Sequence, residues 1–266
     1  MSISSIIYVK KPRRSPLRLR FLTYILEEIY CAICITYFPT IPKKGKDCMR
    51  YKCLLLDHDD TVVNSTATIH YPAFLEALRL LRPGVTISLD DYFRENFDPG
   101  FVPYCVEKLG MTDEELVVET ECWKNYVSGH TSKAYDGMRE IIGRQKAEGG
   151  IVCVISHSYD FNIKRDYEVN NLPLPDMVFG WECPPEQRKP STYALDVISR
   201  RYGLKPEEMV MVDDLKPGYD MAKAYGVPFV GAGWANDIPE IREFMRKNSD
   251  VYFTKVEELA TFLFDT

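Results

Sequence analysis

The chain has 266 residues, of which 45% are hydrophobic and 27% are charged, and this composition is typical of a globular protein with a sizeable core. Its net charge of −6 is uneven, because residues 1–50 carry +7 and the remainder carries −13. An acidic body repels a phosphate backbone, which argues against nucleic acid as a partner. The eight scattered cysteines favour reduced, buried thiols and hence a cytoplasmic protein, not a disulfide scaffold.

The first part of the chain differs from the rest. A basic stretch precedes the apolar run Phe21–Pro39, which Glu27 and Glu28 interrupt. A membrane-spanning helix needs roughly 20 apolar residues, and a signal peptide has an undivided apolar region. We therefore expect residues 1–49 to lie outside the fold, with a native start at Met49. A removable targeting segment and a weak membrane anchor are less favoured alternatives.

From residue 51, short apolar runs alternate with longer amphipathic runs. The apolar runs are bounded by turn or polar residues, as is typical of strands buried on both faces. Their alternation with helical patterns predicts a doubly wound, Rossmann-like parallel sheet with helices on both sides. The predicted strands are Cys53–Asp57, Ile151–Ser156, Asp176–Gly180, Met209–Asp213, Phe229–Gly231 and Asp250–Phe253. The predicted helices between them are Tyr159–Asn171, Ser191–Tyr202, Gly218–Tyr225 and Pro239–Lys247.

The gap between the first two strands is far longer than a crossover requires. Residues 64–148 contain helical patterns and no convincing strand, which predicts an inserted helical cap that could act as a lid. The predicted domains are therefore an α/β core at 50–63 and 149–266, and a cap at 64–148. The main helical stretches of this insert are Pro72–Leu81, Asp90–Asn96, Asp113–Val127 and Tyr135–Lys146.

Acidic or hydroxyl side chains stand where three of the predicted strands end, and a lysine precedes one of the helices. Since the carboxyl ends of parallel strands share one edge of the sheet, these side chains are expected to meet there. The residues are Asp57, Asp59 and Thr61 after the first strand, Ser156 after the second, Lys189 ahead of a helix, and Asp213 and Asp214 after the fourth strand.

This set supplies what phosphoryl transfer needs. One carboxylate can attack phosphorus. Other carboxylates can hold Mg²⁺, which prefers oxygen ligands and keeps several waters. A lysine and a hydroxyl can stabilise charge on the transferring group. A further carboxylate can give a proton to the leaving group and later take one from water.

The four segments resemble the four motifs of the haloacid dehalogenase-like (HAD) hydrolase superfamily, and they occur in the same order. The pattern D-x-D-x-T begins at Asp57. The resemblance implies that Asp57 is the phosphorylated nucleophile and that Asp59 is the acid/base, with its backbone carbonyl on the metal. It also implies that Ser156 binds phosphate and that Lys189 neutralises nucleophile and phosphate.

The resemblance extends to the metal and to the cap. It implies that Asp213 and Asp214 complete a Mg²⁺ site with Asp57 and Asp59. A helical cap between the first two motifs is similar to that of the phosphoglycolate phosphatase and β-phosphoglucomutase branch. The likeness covers about residues 50–260.

Three positions depart from the family pattern. Asp60 stands where glycine is commonest, and His58 stands between the two key acids. Gly218 occupies the place of a distal acid, so Asp220 is left out of the predicted metal site. Apart from these positions, we predict no special role for His70 or His130, and we interpret Trp123, Trp181 and Trp234 as packing residues.

The leading prediction is therefore a magnesium-dependent phosphatase that hydrolyses a small phosphate monoester. A phosphomutase of the β-phosphoglucomutase type would use the same residues and stays open as an alternative. A HAD-like module that binds phosphate without catalysis is less favoured, since all four motifs are present. The sequence predicts neither the substrate nor the oligomeric state.

Overall fold

The computed structural model describes residues 49–265. The extension predicted at 1–49 lies outside this range except for Met49, so the predictions for it stay predictions. Within the described residues, no helix is long and apolar enough to cross a lipid bilayer.

A six-stranded parallel sheet forms the centre of the described fold. All six predicted strands are present, and their ends differ from the prediction by one residue at most. The strands are β1 (Cys53–Leu56), β4 (Ile151–Ile155), β5 (Met177–Phe179), β6 (Met209–Asp213), β7 (Phe229–Ala232) and β8 (Val251–Phe253). Their order across the sheet is β5-β4-β1-β6-β7-β8.

Both faces of the sheet are buried, because successive side chains of a strand point to opposite faces. In β1, Leu54 and Leu56 join one hydrophobic cluster, whereas Cys53 and Leu55 join another. All four side chains are fully buried. The doubly wound α/β core predicted from the sequence is therefore confirmed.

Helices cover the sheet and fill most of the insert. They are α1 (Tyr71–Leu81), α2 (Leu89–Phe97), α3 (Phe101–Pro103), α4 (Asp113–Gly129), α5 (Met138–Ala147), α6 (Asp160–Val169), α7 (Tyr193–Tyr202), α8 (Lys216–Tyr225), α9 (Pro239–Asn248) and α10 (Val256–Phe264). Short π-helical turns lie at Thr66–His70 and Tyr104–Lys108, and short 3₁₀ turns lie at Pro185–Gln187 and Pro206–Glu208.

The insert begins and ends at a two-stranded antiparallel ribbon. Its strands are β2 (Val63–Asn64) and β3 (Lys133–Ala134). The prediction that residues 64–148 hold no strand is wrong here, because two-residue strands are too short to show a period of two. Between the strands, buried residues of the insert form a cluster of their own: Phe74, Leu78, Tyr92, Tyr104, Cys105 and Met111.

One helix of the predicted cap range packs elsewhere. In α5, Met138, Ile141 and Ile142 belong to the same buried cluster as Leu54 of the sheet. This helix therefore lies on the sheet beside the core helices. The boundaries 50–63, 64–148 and 149–266 stay predictions.

Candidate active site

Asp57 lies one residue beyond β1, at the carboxyl edge of the sheet. The register of the parallel strands fixes its position, and its backbone N–H donates to the carbonyl of Val212 on β6 at 2.9 Å. Its side chain is 5% exposed. Because β1 lies between β4 and β6, the residues that follow those strands are its neighbours. The topology therefore brings Asp57 close to Ser156 and to the Asp213–Asp214 pair.

Lys189 lies between two of the predicted acids. Its Nζ is 2.7 Å from Oδ1 of Asp57 and 2.6 Å from Oδ2 of Asp213. The lysine side chain is 2% exposed. Burial lowers the pKa of Lys189, but the two carboxylates raise it further, so the pKa lies above its usual range. The ammonium is therefore charged at neutral pH and forms an ion pair with each of the two acids.

Three buried acids form a cluster that suits a hard cation. Asp57, Asp213 and Asp214 each offer a carboxylate oxygen, and these oxygens lie within 4.8 Å of one another. Burial and the neighbouring acids raise the pKa of Asp213 to about 7 and that of Asp214 well above its usual range. Like charges this close are stabilised by a cation among them. Because all the donors are oxygens, the residues fit Mg²⁺.

Ser156 follows β4 and is 4% exposed. Its Oγ accepts the backbone N–H of Ser158 at 3.2 Å. Within the described residues it makes no hydrogen bond to Asp57. The sheet therefore places Ser156 at the expected edge, and its predicted contact with a phosphate stays a prediction.

Asp59 faces His70. Its Oδ1 lies 2.9 Å from Nε2 of His70, although the two atoms are not aligned for a hydrogen bond. Burial raises the pKa of Asp59, but His70 and His58 lower it further, so it lies below its usual range. The predicted metal contact of Asp59, through its backbone carbonyl, stays a prediction.

Trp123 of helix α4 completes a chain of contacts to Asp59. Its Nε1 donates to Nδ1 of His70 at 2.9 Å, and the planes of the two rings are 13° apart. An indole N–H can only donate, so Nδ1 must accept. When the ring is neutral, its proton is then on Nε2, the nitrogen that faces Asp59. Burial lowers the pKa of His70, but Asp59 and Asp60 raise it further, so it lies above its usual value. A residue of the insert thus orients the group beside the predicted acid/base.

Asp60 has a conformation that explains its departure from the family pattern. Its φ of 59° lies in the left-handed region, where glycine is usual. Its carboxylate accepts the backbone N–H groups of Ser65 and Thr66, each at 3.1 Å. These bonds offset the strain and hold the start of the next helical turn. Burial raises the pKa of Asp60 to about 6.

His58 lies in the core and contacts helix α6. It is fully buried, with Nε2 at 3.3 Å from Oδ2 of Asp166 on α6. Its ring stacks on Tyr167, with centroids 5.9 Å apart. His58 therefore ties the loop after β1 to helix α6.

Gly218 explains the absence of a distal acid. A Cβ atom at this position of α8 would collide with the carboxylate of Asp213. The backbone of α8 can approach Asp213 only because residue 218 is glycine. Asp220 is exposed, in line with its omission from the predicted metal site.

His157 supports Lys189 through the backbone. Its Nε2 donates to the carbonyl of Lys189 at 3.0 Å. Burial, together with the positive charge of Lys189, lowers the pKa of His157 to about 4. The ring is therefore neutral at physiological pH, so it acts as a hydrogen-bond donor that fixes the loop and not as a charged group.

Sequence reasoning missed His70 and treated Trp123 as packing. Their contacts join a residue near the first motif to a helix of the insert. No local sequence pattern predicts such contacts. The one available signal was the position of His70 shortly after the D-x-D-x-T motif.

Comparison with known proteins gives a family and a fold. The model of the haloacid dehalogenase-like hydrolase family matches residues 51–226. No curated protein matches the chain in sequence.

Solved structures share the fold at low sequence identity. A haloacid dehalogenase-like protein from Bacteroides fragilis is 21% identical with a TM-score of 0.66, and the match covers 79% of this chain and 99% of that one. A predicted phosphoglycolate phosphatase from Haemophilus somnus is 18% identical with a TM-score of 0.62, over 80% and 98% of the two chains. CbbY from Rhodobacter sphaeroides, solved with phosphate, is 18% identical with a TM-score of 0.63, over 79% and 96%. The family match spans more than half of the chain, which therefore belongs to the haloacid dehalogenase-like hydrolases.

Proposed function

We propose that this hydrolase is a magnesium-dependent phosphatase that cleaves a small phosphate monoester through an aspartyl-phosphate on Asp57. The observation that carries the proposal is the buried cluster at the sheet edge. Lys189 bridges Asp57 and Asp213, and Asp214 completes a set of oxygen donors. A nucleophile, a fixed positive charge and a cation site within a few ångströms are what phosphoryl transfer requires.

In the first half-reaction, a carboxylate oxygen of Asp57 attacks phosphorus and the bond from phosphorus to the ester oxygen breaks. Asp59 gives a proton to the departing oxygen, so that an alcohol leaves. The approach of a phosphate dianion raises the pKa of Asp59, which favours its protonated form. Lys189 stabilises the negative charge that develops on the transferring group.

In the second half-reaction, water attacks phosphorus and the bond from phosphorus to Asp57 breaks. Asp59 takes the proton from that water, so its two tasks are the reverse of each other. The products are inorganic phosphate and the regenerated carboxylate of Asp57. Ser156 is proposed to donate a hydrogen bond to a phosphate oxygen from the end of β4.

Asp57, Asp213 and Asp214 would hold the Mg²⁺ together with the carbonyl of Asp59. When bound, the ion supplies positive charge for the phosphate oxygens and offsets the repulsion among the acids. The structure of CbbY with phosphate supports a phosphate ester as the substrate class, because it shares the fold.

Two alternatives use the same residues. A phosphomutase would return the phosphoryl group to a sugar, and a binding module would hold phosphate without turnover. The contact among the proposed nucleophile, lysine and acids favours catalysis over binding alone. The phosphomutase stays an alternative that the reaction product decides.

Release of inorganic phosphate from a broad panel of phosphate monoesters tests the proposal. We expect turnover that EDTA abolishes and Mg²⁺ restores, and none with Asp57→Asn. The exposed Asp220→Asn is the matched control, since it removes an acid from α8 outside the cluster, and it should stay active. Equal phosphate release by wild type and Asp57→Asn would reject the proposal. Isomerised sugar phosphate as the main product would favour the mutase.

A further inference from the structure

Helix α6 of the core holds the loop that carries the two proposed catalytic acids. His58 stands between Asp57 and Asp59 in the chain, and its Nε2 lies 3.3 Å from Oδ2 of Asp166 on α6. Both of these side chains are fully buried, and the ring of His58 also stacks on Tyr167 of the same helix. The position of the loop is therefore set against α6.

The neighbouring residue of α6, Arg165, holds the end of the insert helix α4. Its Nη1 donates to the carbonyl of Val127, and its Nη2 donates to the carbonyl of His130 at 3.0 Å. The same Nη2 also donates to Oδ1 of Asn162 at 2.7 Å, so the guanidinium is itself held in place. The last turn of α4 contains no basic residue of its own. Arg165 therefore supplies the positive charge that stabilises the C-terminus of this helix.

Asn170, which directly follows α6, holds the strand that leads from the insert back to the core. Its Oδ1 accepts the backbone N–H of Ala134 in β3 at 2.8 Å, and its Nδ2 donates to the carbonyl of Ser132 at 2.8 Å. We call Arg165 and Asn170 the α6 clamp. Each of its two side chains makes two hydrogen bonds to the backbone of residues 127–134. The clamp thus fixes where α4 ends relative to the core.

The position of α4 matters because the helix carries Trp123. This residue lies one helical turn before Val127, so the clamp acts close to it. The indole N–H of Trp123 donates to Nδ1 of His70, and Nε2 of His70 lies 2.9 Å from Oδ1 of Asp59. Contacts from α6 therefore reach Asp59 by two routes, one through His58 and the loop, and the other through α4 and His70.

We propose that Arg165 and Asn170 are positioning residues for proton transfer by Asp59. Through α4 they keep His70 beside the Asp59 carboxylate, while α6 also fixes the loop on which Asp59 stands. Both act through other residues and take no part in the chemical step. The inference rests on the proposed function, because it concerns the proton that Asp59 gives to the departing oxygen. Loss of the clamp therefore slows proton donation to the leaving group more than the attack by Asp57.

Two esters with different leaving groups test this inference. p-Nitrophenol is a far stronger acid than an alkanol, so its anion departs with little help from a proton donor, whereas an alkyl oxygen needs one. The substrates are p-nitrophenyl phosphate and the alkyl phosphate that wild type turns over fastest in the panel of monoesters. The quantity measured is kcat/KM, which covers the reaction up to departure of the alcohol.

For Arg165→Gln, we expect kcat/KM to fall about tenfold or more with the alkyl ester and less than about twofold with the nitrophenyl ester, because a misplaced proton donor is costly only where a proton is needed. Arg165→Lys keeps a cation that can reach one of the two carbonyls, so it should recover part of the lost alkyl activity.

Lys164→Gln is the matched control, because it removes the same charge from the exposed neighbouring position of α6. It should leave the ratio of the two kcat/KM values within about twofold of wild type. Asn170→Asp removes the donor to Ser132 and leaves Arg165 in place. It should shift the ratio in the same direction as Arg165→Gln, so the test does not depend on the arginine variants alone.

An equal fall with both esters, or an unchanged ratio, in Arg165→Gln would overturn the inference while the proposed function stands. Where that variant does not fold, the same result in Asn170→Asp would overturn it. An equally large shift in Lys164→Gln would also do so, because the clamp would then not be its cause. Absence of Asp57-dependent phosphate release from both esters would reject the proposed function itself.

Discussion

At the scale of single residues, the acid cluster depends on a glycine. The acid pair at the end of β6 can be recognised in the sequence. The role of Gly218 cannot, because that role depends on how closely α8 approaches Asp213. Asp60 is a similar case, since the sequence shows only that an unusual residue stands there. The structure explains it by a positive φ at Asp60 and by the two backbone N–H groups that donate to its carboxylate.

Gly218→Ala should therefore impair the site. The added methyl group forces the Asp213 carboxylate to move, and we expect phosphatase activity to fall by about tenfold or more, because misplaced catalytic groups are costly. Gly143→Ala is the control, since a Cβ there meets only Pro173 Cγ at 4.0 Å. That variant should keep full activity and gain up to about 1 kcal/mol of stability. Full activity in Gly218→Ala would show that the close approach is not needed.

A second prediction at the scale of single residues concerns the indole N–H of Trp123. Trp123→Phe keeps an aromatic ring against Tyr159 but removes the donor to His70. We expect kcat to fall roughly three- to tenfold, the range of one lost hydrogen bond, because His70 is then less firmly held beside Asp59. His130→Asn, at an exposed histidine, should leave kcat unchanged. An unaltered kcat in Trp123→Phe would exclude a role for this bond.

At the scale of elements, buried strands were the most predictable feature. A short apolar run such as Cys53–Leu56, bounded by Lys52 and Asp57, is typical of a strand covered on both faces. The ribbon β2–β3 was missed because each strand has only two residues. Helix α10 was also missed, although Glu258 gave a signal. Its carboxylate accepts the backbone N–H groups of Thr254 and Lys255, which is how an N-terminal capping glutamate acts.

Helix α4 contains a pH-dependent element in Glu119. Its pKa is raised by burial from 4.5 to about 7, so the folded protein holds a proton that the unfolded chain has lost. Stability is therefore greatest at low pH and falls as pH rises between these two values, by up to about 3 kcal/mol. Among the other titratable groups near it, Glu119 raises the pKa values of Tyr92, Cys105 and Tyr159.

Urea unfolding at a series of pH values tests this expectation. The unfolding free energy of Glu119→Gln relative to wild type should rise between about pH 5 and about pH 8, because glutamine has no proton to lose. Glu121→Gln, which alters an exposed residue, should show no such trend. A difference between Glu119→Gln and wild type that does not vary with pH would contradict the raised pKa.

At the scale of the whole molecule, topology explains why distant motifs meet. The carboxyl ends of β1, β4 and β6 lie side by side. The motifs that follow these strands could therefore be predicted from the sequence to meet at one edge of the sheet. The closeness of Asp57, Lys189 and Asp213 agrees with that reasoning. What the sequence could not provide is how the insert meets the core, since the contacts from Trp123 to His70 and Tyr159 join segments far apart in the chain.

The central claim is that Asp57 becomes phosphorylated during turnover. Rapid acid quenching of the Mg²⁺-loaded enzyme with a substrate ester, followed by peptide mass spectrometry, measures this directly. We predict that the peptide containing Asp57 gains the mass of one phosphoryl group, and that the gain is absent in Asp57→Asn and in the presence of EDTA. Phosphate release without any modification of that peptide, at full rate in Asp57→Asn, would contradict the claim.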